Sequence, residues 1–112
     1  MNTNYKIEVY DYDEMLLMNK SLNDMIKELQ KISKFKFCNK NTSIQQEDID
    51  WNNYEKDMIK LSKIFKEQSF IVFGKEIDSD NVWTHEFKNG KNKKIKTKKS
   101  IKFKDYLNKK GN

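Results

Sequence analysis

The chain predicts an α+β fold, a mainly antiparallel sheet with two helices on one face, and a ferredoxin-like arrangement stays open. Three observations predict it. Apolar and polar residues alternate in several short segments, which is the period of a half-buried strand. Two longer segments carry apolar residues three and four apart, the period of a helix face. An Asn89-Gly90 pair stands between two strand-like segments, and that dipeptide suits a two-residue hairpin whose central positions both need positive φ.

The elements follow in chain order. Residues 5–10, Tyr-Lys-Ile-Glu-Val-Tyr, alternate and predict a strand. Asp11, Asp13 and Glu14 come next, suited to the electropositive start of a helix. Met15, Met18, Leu22, Met25, Leu29 and Ile32 then form one apolar stripe, with an interruption near Asn19 and Ser21 as a candidate N-cap. The stripe fits a core-facing helix or a short coiled-coil seam. A seam usually needs more heptads, so the core helix and a monomer are preferred over a dimer.

Phe35 and Phe37 alternate with lysines and predict a short strand. Residues 39–43 are turn-forming, and 44–51 is extended. A second helix is expected from Asn53, with Tyr54, Met58, Leu61 and Phe65 on its apolar face. Ser69 to Ile77 contains Phe-Ile-Val-Phe and predicts a well-buried strand. Asp78-Ser79-Asp80-Asn81 is turn chemistry. Val82 to Lys88 alternates again, placing Trp83, His85 and Phe87 on one face. The returning strand, Lys91 to Lys99, has Ile95 as its one aliphatic residue and is expected at a sheet edge, where lysine discourages unwanted pairing. One α+β domain over 1–99 and a basic C-terminal tail over 100–112 describe the organisation.

Composition bounds the chemistry. Apolar residues make up 36% of the 112 residues and charged residues another 36%, which is thin for a core. Seven Phe, five Tyr and two Trp compensate with large buried areas and argue against disorder. All 23 basic residues are lysine; the chain has no Arg, Ala or Pro and is rich in Asn and Ile, as an AT-rich coding bias would produce. That bias explains lysine over arginine. It does not explain the layout: residues 88–112 hold 11 lysines and one acid, while 1–87 hold 12 lysines and 16 acids. A mildly acidic body therefore carries a strongly basic last quarter, which suggests contact with something anionic. One cysteine, Cys38, excludes an internal disulfide and a multi-cysteine zinc site, and is expected to serve as a small apolar residue. No secretory pattern opens the chain and no apolar run approaches about 18 residues, so a cytoplasmic place and no membrane partner are expected.

Catalytic chemistry is not expected. Three Asp-x-Asp pairs, Asp11/Asp13, Asp48/Asp50 and Asp78/Asp80, could share a strand face around a cation, but the spacing is common in an acid-rich chain and suits turns equally. His85, the single histidine, falls in the Trp83–Phe87 alternation and is expected as a partly buried sheet residue rather than a general base. The glycines at 74, 90 and 111 are isolated, so no phosphate loop is present. Neither a metal nor a cofactor is expected. The candidate binding residues, for a partner or for phosphate, are Lys88, Lys91, Lys93, Lys94, Lys96, Lys98, Lys99, Lys102 and Lys104. Alternation would separate Lys94, Lys96 and Lys98 from Lys91, Lys93 and Lys99. A ribbon charged on both faces could follow a phosphate backbone without reading bases, since it lacks arginine; it could equally be a solvated edge.

The segment from Trp51 to Lys91 resembles a family of small α+β proteins of phages and mobile elements. The resemblance rests on Trp51, Tyr54-Glu55-Lys56-Asp57-Met58, Leu61-Ser62, Phe70-Ile71-Val72-Phe73-Gly74, Trp83 and Phe87-Lys88-Asn89-Gly90-Lys91. Where that family has a second glycine, an acid before the Trp and an aromatic before the hairpin Phe, this chain has Glu76, Asn81 and Glu86. The resemblance implies a helix-backed antiparallel sheet and a phage-like origin, with action in the cytoplasm of a bacterial host. The resemblance implies no activity of its own; with the small size, the lack of a catalytic set and the polarised charge, a phage-like origin suggests a non-catalytic inhibitor of the anti-CRISPR type, whose partner is a host defence effector complex, its protein or its guide RNA. The alternative is a free-standing basic module that binds nucleic acid with little sequence specificity.

Overall fold

The computed structural model describes residues 2–95. Lys96, Lys98, Lys99, Lys102, Lys104 and the tail 100–112 lie outside the described residues. The elements run β1 (Thr3–Tyr10), α1 (Asn23–Ser33), β2 (Cys38–Asn39), β3 (Ile44–Ile49), α2 (Tyr54–Ile64), β4 (Ser69–Glu76), β5 (Val82–Lys88) and β6 (Lys91–Ile95). The strands form one sheet in the order β2-β3-β1-β4-β5-β6, and every neighbouring pair is antiparallel. This is the α+β class that the sequence predicts. From β1 to β4 the element order and strand order are those of the ferredoxin-like β-α-β-β-α-β arrangement. Strands β5 and β6 then widen the sheet beyond β4.

The alternation in β1 sets the layers. Thr3, Tyr5, Ile7 and Val9 are buried, while Asn4, Lys6, Glu8 and Tyr10 are half-buried on the other face. The buried face meets Phe70, Val72 and Phe87 from β4 and β5 and Leu29, Met58 and Leu61 from the helices, which pack against each other. Each such aliphatic or aromatic side chain contributes about 1.5–3 kcal/mol when fully removed from water. On the outer face Lys6 bridges to Glu8 at 3.5 Å and lies over the Phe73 ring.

The first helix starts later than the apolar stripe predicts. Asp11 to Met18 does not open it. The Asp11 N–H donates to the Met15 carbonyl at 2.8 Å, the Glu14 N–H to the Asp11 carbonyl, and the Met15 N–H to Asp13 Oδ1. Glu14 and Asn19 have φ of 65° and 55°, which an α-helix cannot contain. Leu16 instead bridges to Tyr10, and Met15 and Met18 are exposed. A 3-10 turn over Asn19–Leu22 leads into α1, so Leu22 and not Ser21 precedes the helix, with no side-chain cap. Leu22, Met25, Ile26 and Leu29 are buried within this chain, so the coiled-coil seam is overturned.

Two smaller expectations are also corrected. Phe35 and Phe37 precede the short strand rather than forming it. Lys34, left-handed at φ 70°, ends α1, and the Phe37 N–H donates to Gln30 Oε1 as the chain turns back. Cys38 is exposed rather than packed as a small apolar residue. The second helix agrees with its prediction, with Met58 and Leu61 buried; Ile64, at its end, is exposed. Its start is held by the Trp51 indole, whose Nε1–H donates to Asp57 Oδ2 at 2.7 Å in a buried setting.

Candidate functional site: a lysine edge and an aromatic cavity

The β5–β6 hairpin carries Lys88, Lys91, Lys93 and Lys94. Asn89 and Gly90, at φ 46° and 77°, supply the positive φ that the turn requires. The register pairs Lys88 with Lys91, Glu86 with Lys93 and His85 with Lys94. Lys91 to Lys94 are all exposed, and β6 is the last strand of the described sheet. The Lys94 position, opposite His85, belongs to the helix-covered face, and Lys91 and Lys93 to the other, as alternation predicts. Lys94 approaches Glu55 at 3.7 Å, and both side chains are well exposed, so this pair contributes little stability.

Helix α2 clamps the hairpin tip. Ser62 Oγ donates to the Ile59 carbonyl and accepts the Gly90 N–H at 2.9 Å. The Lys63 stem lies against Gly90, where an added Cβ would sit 2.7 Å from Lys63 Cε. Lys66 and Lys88 line a shallow depression with Tyr12 and Glu67. Lys63 of α2 and Lys66 just after it thus join Lys88 near the hairpin tip. Nothing local in the sequence places Lys63 beside Gly90 or Lys66 beside Lys88.

A second feature is a cavity of about 550 Å³ between the start of α2 and the strands β1, β4, β5 and β6. Tyr5, Trp51, Tyr54 and Trp83 wall it, and Asp50, Glu55, Glu76 and Lys94 supply its charges. Tyr54 and Trp83 stack at 4.7 Å, and Tyr5 meets Trp51 and Trp83 edge to face at 5.0 and 5.6 Å. Trp83 is half-buried, and its place is made by Gly74, its cross-strand partner: a Cβ there would lie 2.1 Å from the indole Cζ2. The Phe-Gly and Trp pieces of the sequence pattern are therefore one packing unit.

His85 is fully buried, deeper than its sequence context predicts. Its Nε2 lies 3.1 Å from Asn92 Oδ1 and its Nδ1 3.2 Å from the Tyr54 hydroxyl. With Asn92 Oδ1 accepting from Nε2–H, Nδ1 accepts from Tyr54. Burial, reinforced by the Glu55 charge, pushes the Tyr54 hydroxyl well above its ordinary range. Burial likewise raises Tyr5, with Asp50 and Glu76 adding to the shift and a hydrogen bond with Thr3 opposing it. Both phenols stay protonated at neutral pH, so neither serves as a base there.

The Asp-x-Asp pairs lie in separate places, and Asp11 and Asp13 accept backbone N–H groups. Asp11 and Asp13 belong to the turn after β1, and Asp78 and Asp80 flank the β4–β5 connection. Asp48 sits at φ 57°, its N–H bonded to Asn4 Oδ1 and its Oδ1 accepting from Asn2. Among the described residues no three His, Cys, Asp or Glu side chains are grouped to hold a metal ion. No described helix is long and apolar enough to cross a membrane. No family model, no curated protein and no solved structure matches this chain.

Proposed function

We propose that this protein is a non-catalytic inhibitor from a phage or mobile element, which binds a host defence effector complex of the CRISPR type and acts by occupancy. The observation that carries the binding half of this reading is the lysine edge. Lys91, Lys93 and Lys94 project from the exposed strand β6, Lys63 near the end of α2 lies against Gly90 at the hairpin tip, and Lys66 just after α2 neighbours Lys88. A basic end on an otherwise acidic body orients the molecule toward an anionic surface and accelerates encounter with it. The target class rests on the family resemblance of Trp51 to Lys91.

Co-purification with candidate effectors, with and without nuclease, tests this reading. Capture that survives nuclease and inhibition that saturates at one equivalent support it. Absence of both capture and inhibition across the effectors tested removes its basis.

The second reading, a free-standing nucleic-acid module, is favoured by one feature: the lysines are concentrated in residues 88–112, and without arginine their contacts would go to phosphate and not to base edges. It predicts binding to bare RNA or DNA with a log–log salt slope of about −4 to −5 for six phosphate contacts. A flat salt response excludes it.

A further inference from the structure

We propose that the aromatic cavity is a binding site for an organic cation, an alkylammonium or methylated ammonium group. The proposal does not rest on the function of the lysine edge. Three features of the cavity select this ligand class.

The first is its wall. Four aromatic residues come together there: half-buried Tyr54 of α2 and Trp83 of β5, backed by Tyr5 of β1 and Trp51 of the β3–α2 connection, both buried. Aromatic rings attract a cation over their faces and offer a poorly hydrated alkylammonium an apolar contact at the same time. The volume of about 550 Å³ is in the range of small-molecule sites.

The second is charge. Among the described residues, Asp50, Glu55 and Glu76 line the cavity with one lysine, Lys94. A phosphate or carboxylate ligand would meet an excess of like charge. These acids do not converge as metal ligands do, since the described residues hold no such group of three. Carboxylates spread along a rim suit a large, diffuse cation better than a small divalent one.

The third is an exposed ion pair at the cavity's edge. The Lys94 ammonium lies 3.7 Å from Glu55 Oε1 there. An incoming ammonium group would compete with Lys94 for Glu55. Glu76, which accepts from the Asn81 side-chain amide, adds a further carboxylate to the rim.

The ligand's source is either a free small amine or a lysine side chain of a partner protein. Titrations with tetramethylammonium chloride, with blocked trimethyl-lysine amide and with neutral 3,3-dimethylbutanol separate the possibilities. Indole N–H resonances of Trp51 and Trp83 and tryptophan fluorescence report occupancy. Saturable shifts with both cations and none with the alcohol are expected. Binding of the amino-acid amide alone assigns the site to a protein side chain; comparable binding of tetramethylammonium assigns it to small amines as well. Glu76→Gln and Asp50→Asn are each expected to weaken binding about two- to fivefold. Lys94→Gln is expected to tighten it, because a competing cation is removed. Equal binding of the alcohol, or no saturable shift with either cation, overturns the proposal. So does an unchanged affinity in all three variants with their thermal unfolding intact.

Discussion

Strands β1 and β6 belong to the same sheet and follow opposite rules. In β1 every second residue is buried, and the strand pairs on both sides, with β3 and with β4 along its full length. In β6 four lysine and asparagine residues are exposed in succession, only Ile95 is half-buried, and the one described partner is β5. The first strand is fixed by what it buries. The second is fixed by a turn and a partner strand. Removing a side chain should therefore be costly in the first region and nearly free of consequence for stability in the second.

The largest effect is expected at the centre. Phe70 on β4 is fully buried opposite both Val9 and Phe87. Phe70→Ala should lower unfolding stability by about 3–5 kcal/mol, from lost transfer energy and the cavity left behind. Urea unfolding followed by circular dichroism checks it. A loss under about 1 kcal/mol would show that the centre is not close-packed.

Next comes the seam between the core and the cavity. Gly74→Ala would put a methyl group 2.1 Å from the Trp83 indole, so the ring must move. A cost of about 1–3 kcal/mol is expected for such overpacking. The Trp83 indole N–H resonance should shift with it, which separates local displacement from global weakening. An unshifted resonance would contradict the Gly74–Trp83 packing. A smaller effect is expected at the hairpin tip. Ser62→Ala removes the acceptor of the Gly90 N–H, and a loss of about 0.5–1.5 kcal/mol follows. Amide exchange at Gly90 should accelerate by more than exchange in β1. Uniform acceleration would mean that the tip and the centre open together.

The same contrast explains what could be read from the chain. Strand β1, helix α2 and the β5–β6 hairpin were legible because each writes its signal locally: strict alternation, the Tyr54/Met58/Leu61 face, and Asn89-Gly90. Met15 and Met18 misled because three- and four-residue spacing is also met by residues in a loop. Nothing periodic records that Asp11 and Asp13 bond to nearby backbone N–H groups and close a turn. The lysine edge was visible as composition. The cavity was not, because it joins Tyr5 to Trp51, Tyr54 and Trp83, residues distant along the chain that meet only once the sheet has formed. A Trp and a Tyr three positions apart at the start of a predicted helix were the available local hint. They read equally well as core.

The smallest stability effect should coincide with the largest effect on binding. Changing Lys91, Lys93 and Lys94 together to Gln touches exposed side chains on a strand that covers little core. Each exposed change is worth no more than about 0.5 kcal/mol, and the weak Lys94–Glu55 pair adds little to that. Thermal unfolding should therefore shift only slightly, while affinity for the anionic partner, measured by calorimetry at low and moderate salt, should fall and lose salt dependence. Two results would break the contrast. If the triple variant unfolds, β6 supports the core and the difference between the strands is one of degree. If it folds and binds unchanged, the basic edge is a solubility device, and the contact lies elsewhere on the molecule.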